Sequence, residues 1–184
     1  MRIVAGRYGG RRLVAPRGSS TRPTGERVRE ALFAVLGHEV VSARVLDLYA
    51  GTGALGLEAL SRGASAVVFV ESAGPALEAI RSNVATLGAV RETTLVAGAA
   101  ERTLGRLEAL GPFDLVIADP PWARIDDAVA LLAALVERGI AKGEASIVLE
   151  HSSEDTPEVQ GLEPRWQRSY GDTGITIFER ASEP

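Results

Sequence analysis

The chain has 184 residues, 46% of them hydrophobic and 24% charged, which fits one globular domain with a sizeable core. The absence of cysteine excludes disulfide scaffolds and thiol nucleophiles, and two histidines are too few for a histidine-rich metal site, so we expect no metal. No apolar run approaches the roughly 18 residues that span a bilayer, and the basic N-terminus lacks the apolar stretch of a secretory signal, so we expect a cytoplasmic protein without membrane contact.

Positive charge is concentrated at the start of the chain. Residues 1–30 hold eight arginines and two glutamates, a net charge of +6, whereas the remainder carries −10. A basic arm before an acidic body predicts contact with a polyanion, and arginine both binds phosphate bidentately and stacks on bases. We therefore predict a nucleic-acid-binding arm over residues 1–24 and a second unit over residues 25–184. The alternative for the arm is a solvated, partly disordered terminus.

Beyond the arm, a helix at Gly25–Leu36 precedes an alternation of β-branched runs and helical stretches. The runs are almost continuously apolar, as expected of strands buried on both faces of a parallel sheet. The predicted strands are Arg44–Leu48, Ala66–Glu71, Thr93–Ala97, Phe113–Ala118 and Ala145–Glu150. The predicted helices are Leu55–Arg62, Pro75–Leu87, Ala100–Leu110 and Asp126–Arg138. This order predicts an open α/β sheet with right-handed crossovers.

The last forty residues break this alternation. Two strand-like stretches, Arg165–Tyr170 and Gly174–Glu179, are joined by the turn-like Gly171-Asp172-Thr173. Since no helix separates them, we predict an antiparallel hairpin at the sheet edge. Five parallel strands and this hairpin give a seven-stranded sheet.

A glycine-rich loop follows the first strand, with glycines at positions 51, 53 and 56 in the G-x-G-x-x-G spacing. Such glycines let backbone N–H groups approach a ligand, and Glu71 ends the second strand where a carboxylate can accept ribose hydroxyls. Asp47 precedes the loop, where it would repel a pyrophosphate and attract an ammonium group. The pattern predicts a nucleotide-like cofactor and favours S-adenosylmethionine over NAD.

The fourth strand leads into Asp119-Pro120-Pro121-Trp122 at the same edge of the sheet. The two prolines hold this turn extended, so that the Asp119 carboxylate and the Pro120 carbonyl offer two acceptors beside the Trp122 ring. Two acceptors that grip the N–H bonds of an exocyclic amine expose its lone pair and stabilise the developing positive charge. The turn therefore predicts methyl transfer to a base amine; a rigid polar turn without chemistry is the alternative.

Together, these motifs resemble the class I amino-methyltransferases that act on nucleic-acid bases. The segments Arg2–Gly6, Gly10–Leu13 and Arg22-Pro23-Thr24, with Leu57–Ala64 and Tyr170–Thr173, resemble the RsmD family in particular. That family methylates N2 of a guanine in 16S ribosomal RNA with S-adenosylmethionine. The resemblance implies a Rossmann-like, seven-stranded class I S-adenosylmethionine-dependent methyltransferase fold over 25–184. It also implies 16S ribosomal RNA as the partner, either free or in an assembling small-subunit particle with ribosomal proteins.

The resemblance assigns roles to individual residues. The implied S-adenosylmethionine site comprises Asp47, Ala50, Gly51, Thr52, Gly53, Glu71, Ala99 and Ala100. The implied catalytic residues are Asp119, Pro120, Pro121 and Trp122. The implied RNA-binding residues are Arg2, Arg7, Arg11, Arg12, Arg22, Thr24, Arg27, Arg29 and Tyr170. Gly98-Ala99-Ala100 departs from the family, which commonly places an Asp there, so only backbone groups are expected to contact adenine.

Three other functions stay open on the sequence. Asp-Pro-Pro-aromatic also serves adenine-N6 methyltransferases of DNA or RNA. A non-catalytic RNA-binding assembly factor could retain the fold. An NAD-dependent oxidoreductase is the weakest alternative, because no hydride-transfer residues are evident.

Overall fold

A computed structural model describes residues 1–16 and 25–181. These residues form five α-helices and one seven-stranded sheet. The strands are β1 (Arg44–Leu48), β2 (Ala66–Glu71), β3 (Thr93–Ala97), β4 (Phe113–Ala118), β5 (Ala141–Ser152), β6 (Leu162–Tyr170) and β7 (Thr173–Arg180). The helices are α1 (Glu26–Leu36), α2 (Ala54–Ser61), α3 (Gly74–Leu87), α4 (Leu104–Leu110) and α5 (Ile125–Glu137).

The sheet has the strand order β3-β2-β1-β4-β5-β7-β6. Strands β1 to β5 are parallel, whereas β7 pairs antiparallel with both β5 and β6. The predicted fold class, with its C-terminal antiparallel hairpin, is therefore confirmed. Since the strand order reverses between β1 and β4, the carboxyl ends of these two strands flank the crevice where open α/β sheets bind ligands.

Two apolar cores cover the two faces of the sheet. One contains Leu32 of α1, Leu57 of α2 and Ile80 of α3, while the other contains Leu107 of α4 and Leu132 of α5. The apolar residues of β1, β2 and β4 alternate between these cores, which explains why their sequences are almost continuously apolar. No helix among the described residues is long and apolar enough to cross a membrane.

Three predicted elements, those at α4, β5 and β6, differ from the structure by more than one residue at an end, and β6 begins at Leu162 rather than Arg165. A single helix over Ala100–Leu110 is wrong, because a 3₁₀ turn at Ala100–Arg102 precedes α4 and Thr103 separates them. The Thr103 hydroxyl donates to the Ala100 carbonyl over 2.7 Å, a local bond that competes with helix continuation. Strand β5 begins at Ala141 rather than Ala145, and its register against β4 shifts between Phe113 and Leu115.

Residues 1–16, called the N-terminal segment below, fold back on themselves and pack against the domain. An antiparallel bridge joins Arg2 to Arg12, and the Ile3 N–H donates to the Arg11 carbonyl over 2.9 Å. Ile3 and Leu13 are buried in the same core as α1 and α2. Residues 17–24 lie outside the described residues, so the division at residue 24 stays a prediction.

Candidate active site

A cavity of about 1180 Å³ lies at the carboxyl ends of the parallel strands. Both predicted motifs line it, since the glycine loop contributes residues 50–52 and the loop after β4 contributes residues 119–122. Of the predicted site residues, the lining includes Asp47, Ala50, Gly51, Thr52, Glu71, Ala99, Ala100, Asp119, Pro120, Pro121, Trp122 and Tyr170. The structure therefore brings the two predicted halves of the site into one space.

The glycine loop makes a sharp turn between β1 and α2. Tyr49, Gly51 and Gly53 have positive φ angles of 57°, 55° and 76°, and the Gly53 N–H donates to the Ala50 carbonyl over 2.7 Å. Gly53 is buried where α2 begins and is not among the described residues that line the cavity. At Gly56, a Cβ would lie 2.5 Å from the Phe69 ring, so the third glycine allows α2 to pack closely on the sheet.

Glu71 is fixed at the cavity wall by backbone donors. One carboxylate oxygen accepts the Gly51 N–H over 2.8 Å, and the other accepts the N–H groups of Ser72 and Ala73 over 2.7 and 2.8 Å. These bonds orient the carboxylate before any ligand arrives. It is a suitable acceptor for paired hydroxyl groups.

Asp47 lies on the cavity floor and is only 1% exposed. Its carboxylate accepts the Gly56 N–H over 2.9 Å. Burial, with a smaller contribution from the nearby Glu71 carboxylate, raises the pKa of the Asp47 carboxyl to about 8, against the opposing effect of the Gly56 N–H. A buried carboxylate with so little compensation is suited to a cationic ligand.

The loop after β4 reaches the cavity from the neighbouring strand. The Asp119 N–H lies 3.4 Å from the Leu48 carbonyl, which ties the start of this loop to the end of β1. Asp119 is half-buried, Pro120 is buried, and Trp122 is 42% exposed at the cavity rim. A large ring left in solvent at this place provides a flat surface for a planar ligand.

A polar network that the sequence analysis missed lies beside these loops. The Tyr49 hydroxyl donates to Glu101 over 2.7 Å, and Arg124 contacts Glu101 over 3.1 Å and Asp127 over 3.0 Å. Burial and the bond to Glu101 raise the pKa of Tyr49, so its hydroxyl stays protonated as a donor. The positive φ of Tyr49, a strained conformation for a residue with a Cβ, was not evident from the sequence.

Residues of the C-terminal half complete the far wall of the cavity. Glu150 lies near the end of β5 and is 7% exposed. It lines the cavity together with Asp172 and Thr173. Glu150 was not predicted as a site residue, although an acid near the carboxyl end of a parallel strand is a pattern that indicates a ligand-binding position. The Tyr170 hydroxyl oxygen is buried and has no hydrogen-bond partner among the described residues. Glu150 and Tyr170 thus line the same cavity as Asp119, although the Tyr170 hydroxyl itself is buried.

Buried polar side chains hold the N-terminal segment in place. Glu58, fully buried in α2, accepts the N–H groups of Val4 and Ala5 over 2.7 and 3.1 Å. The Ser61 hydroxyl accepts the Tyr8 N–H over 2.9 Å and donates to the Ala5 carbonyl. The sequence analysis missed both roles, because these partners lie more than fifty residues apart.

The predicted RNA-binding arginines that the structure describes do not line the cavity. Arg2 and Arg7 are exposed and pair with Glu26 and Glu92, while the Arg11 guanidinium donates to the Thr86 carbonyl. Exposed pairs of this kind contribute little stability, so their arginines can exchange partners. Arg12 and Arg27 are also exposed, and Arg22 and Thr24 lie outside the described residues.

The burial of Arg29 contradicts the prediction that this residue contacts RNA. It is 1% exposed, and its guanidinium donates to the Arg2 carbonyl over 2.6 Å. Burial lowers the pKa of this guanidinium, although the neighbouring Glu58 and Glu26 carboxylates oppose that change. Arg29 therefore supports the N-terminal segment from beneath and does not present its charge to a nucleic acid.

The comparisons with known proteins agree with this geometry. A family model described as "Conserved hypothetical protein 95" matches residues 1–179. The putative rRNA methyltransferase YlbH of Bacillus subtilis is 36% identical over 98% of this chain and 99% of its own. Ribosomal RNA small subunit methyltransferase D of Escherichia coli is 36% identical over 84% of this chain and 76% of its own.

Solved structures give the same picture. The putative methyltransferase yhhF of Escherichia coli superposes with a TM-score of 0.84 at 33% identity and covers 100% of this chain and 99% of that one. An RNA methyltransferase of Salinibacter ruber, solved with S-adenosyl-L-homocysteine, shares the fold with a TM-score of 0.67 at 14% identity, over 89% of this chain and 97% of that one. The seven-stranded sheet, the family model and the 36% identical relatives place this chain in the RsmD family of class I methyltransferases.

Proposed function

We propose that this protein transfers a methyl group from S-adenosylmethionine to the exocyclic N2 amine of a guanine in 16S ribosomal RNA. The observation that carries the proposal is the single cavity shared by the glycine loop, Glu71 and the turn Asp119–Trp122. The names of relatives such as small subunit methyltransferase D support ribosomal RNA as the substrate.

The residues of the cavity fit S-adenosylmethionine. Glu71, held by three N–H groups, would accept the ribose hydroxyls, and the backbone of Ala99 and Ala100 would flank the adenine. Asp47 would accept the ammonium group, whose charge compensates the buried carboxylate. When bound, the cofactor supplies a methyl group on a sulfonium that is already activated for transfer. Positioning is then the main task left to the protein.

Asp119 and Pro120 would hold the amine that receives the methyl group. An exocyclic amine is a weak nucleophile because its lone pair is delocalised into the ring. The Asp119 carboxylate and the Pro120 carbonyl would accept its two N–H bonds, which favours a pyramidal nitrogen and stabilises the charge that develops there. Trp122 would stack on the base. The target base must be unpaired or flipped, since the cavity cannot reach an amine inside a duplex.

The far wall of the cavity favours guanine over adenine. The register that pairs Ala118 with Leu149 places Glu150 beside Asp119 at the same sheet edge. Guanine presents N–H donors at N1 and N2 and an acceptor at O6, whereas adenine presents an acceptor at N1. A carboxylate at Glu150 suits the guanine N1–H donor and does not suit the acceptor that adenine presents at the same position.

The basic residues of the N-terminal segment would meet the RNA backbone. Arg2, Arg7, Arg11 and Arg12, with Arg27 at the start of α1, are exposed and would neutralise phosphates. Arg22 and Thr24 belong to the same proposal from sequence alone. A domain with so few base-reading groups also suits a substrate presented by ribosomal proteins, as in an assembling small-subunit particle.

Methyl transfer from labelled S-adenosylmethionine to small-subunit RNA lacking the modification tests this function. We expect N2-methylguanine as the product, and an Asp119→Ala variant should lose about 10²- to 10³-fold in kcat while it still binds S-adenosylhomocysteine. Asp126→Ala, which removes an exposed acid near the turn but outside the cavity lining, should keep full turnover.

Two results would overturn the proposal in different ways. N6-methyladenine as the product would assign the adenine-N6 activity instead. RNA binding without any transfer by the wild-type protein would indicate a non-catalytic assembly factor. Full turnover by Asp119→Ala would reject the proposed grip on the amine.

A further inference from the structure

Asn83 of α3 joins the glycine loop to the N-terminal segment. Its side-chain oxygen accepts the Val14 N–H over 2.7 Å. Its side-chain nitrogen donates to the carbonyl oxygens of Val14 and Thr52, both over 3.0 Å. Asn83 is 1% exposed and is not among the described residues that line the cavity. One buried amide thus bonds to two parts of the chain that lie 38 residues apart in sequence.

Val14 depends on this amide for its position. The Val14 side chain is 55% exposed, so apolar burial does not hold it, in contrast to Leu13, which is 7% exposed. Both backbone polar groups of Val14 are bonded to Asn83. The next residues, Ala15 and Pro16, line the cavity. Asn83 therefore sets the direction in which the chain leaves the core and passes along the cavity.

Thr52 is the corresponding contact on the cofactor side. Its carbonyl accepts from Asn83, and Gly51 and Thr52 both line the cavity. Its hydroxyl lies 3.5 Å from the Met1 sulfur, a second contact between the glycine loop and the N-terminal segment. A ligand that fixes the glycine loop would therefore fix the acceptor to which Asn83 is bonded.

We propose that Asn83 is a positioning residue that couples cofactor binding to the order of the stretch Val14–Pro16 at the cavity wall. Binding in the glycine loop holds the Thr52 carbonyl, Thr52 holds the Asn83 amide, and Asn83 holds both polar groups of Val14. Because such coupling is reciprocal, RNA that contacts the N-terminal segment tightens cofactor binding by the same factor. This RNA half of the inference rests on the proposed function, whereas the cofactor half does not.

The chemistry of the contact requires an amide. One acceptor and two donors are used, and an asparagine side chain provides both kinds in one plane. An aspartate of the same shape keeps an acceptor for the Val14 N–H, loses both donors and turns an oxygen toward two carbonyls. Asn83→Asp therefore breaks the link to Thr52 with the smallest change in volume, and Asn83→Ala breaks every bond without adding charge.

Amide hydrogen exchange on the whole protein, with and without S-adenosylhomocysteine, tests the cofactor half. In the wild type, we expect the ligand to slow exchange at Val14 and Ala15 by about fivefold to tenfold. Asn83→Asp and Asn83→Ala should lose this slowing. Ser61→Ala is the matched control, because it loosens the same segment at Ala5 and Tyr8 without touching Thr52, and it should keep the slowing.

The affinity for S-adenosylhomocysteine, measured with and without unmodified small-subunit RNA, tests the reciprocal half. RNA should tighten binding about fivefold to tenfold in the wild type and in Ser61→Ala, and less than twofold in the Asn83 variants. Unchanged exchange at Val14 in liganded wild type overturns the inference whatever the variants do. Slowed exchange with no binding to unmodified small-subunit RNA, either free or in assembling particles, would instead reject the proposed function and leave the link through Asn83 standing.

Discussion

The glycine loop and the N-terminal segment border the same cavity but are held in opposite ways. Positive φ angles and the backbone bond from Gly53 to Ala50 shape the turn of the loop locally, and Glu71 and Asn83 bond to it from 20 and 31 residues away. The N-terminal segment is held by Glu58, Ser61 and Asn83, which lie 53 to 69 residues from their partners. Local geometry therefore specifies the turn of the glycine loop, whereas buried polar side chains specify where the N-terminal segment lies.

Gly56→Ala breaks the glycine loop most severely. The new Cβ would lie 2.5 Å from Phe69, 2.7 Å from Val67 and 2.9 Å from Asp47, all in a packed interior. We expect a loss of about 1–3 kcal/mol in the free energy of unfolding, or failure to fold, measured by urea titration. Gly105→Ala in α4, where a Cβ meets nothing within 4 Å, should be neutral or stabilising. Equal effects of the two substitutions would contradict this account of close packing.

Asp47→Asn should change how the stability of the protein depends on pH. Because the pKa of Asp47 is raised to about 8 in the fold, the native state binds one more proton than the unfolded chain between about pH 4 and pH 8. The ligand-free wild type should lose stability as pH rises through this range, and the asparagine variant should not. The difference in Tm between variant and wild type should therefore grow from pH 5 to pH 8, in favour of the variant.

The same substitution should act in the opposite direction on binding. An amide lacks the charge that would compensate a ligand ammonium group, so the affinity for S-adenosylhomocysteine should fall by about tenfold. Parallel curves of Tm against pH for the two proteins would show that Asp47 is ionised in the ligand-free fold. Unchanged affinity would remove it from the proposed cofactor site.

Neutralising arginines at the N-terminal end should have the smallest effect. Arg12→Gln with Arg27→Gln should weaken RNA binding and lower the slope of log affinity against log salt by about one for each phosphate that is no longer neutralised. Arg106→Gln, on an exposed position of α4 across the sheet, is the control and should leave the slope unchanged. An unaltered slope in the double variant would restrict the N-terminal segment to a structural role.

Much of the fold was readable because its determinants are local. The strands β1 to β4 have the predicted bounds, because a continuous apolar run in the sequence indicates a buried parallel strand. The break at Thr103 was not predicted, because a single hydroxyl bond to Ala100 decides it. Asp47, Glu71 and Asp119 could be predicted as candidates because acids at the carboxyl ends of strands have a recognisable position, and all three line the cavity.

The rest of the site depends on contacts that no spacing reveals. Asn83 reads as an ordinary helix residue, and its partners become visible only when α3 packs beside the glycine loop. Arg29 was instead predicted to be at the surface although it is buried. It belongs to a basic run and looks available to a polyanion, but the fold turns it inward beneath Arg2. Charge in a sequence predicts a surface only where burial does not intervene.

Helix α2 has a consequence for how this protein can vary. All eight of its residues are buried; its first turn follows the glycine loop, and its second carries Glu58 and Ser61. This helix of about two turns therefore contacts both the glycine loop and the N-terminal segment. A saturation mutagenesis screen should find it the least permissive stretch of the chain, and changes accepted there during divergence should arrive with compensating changes on both sides.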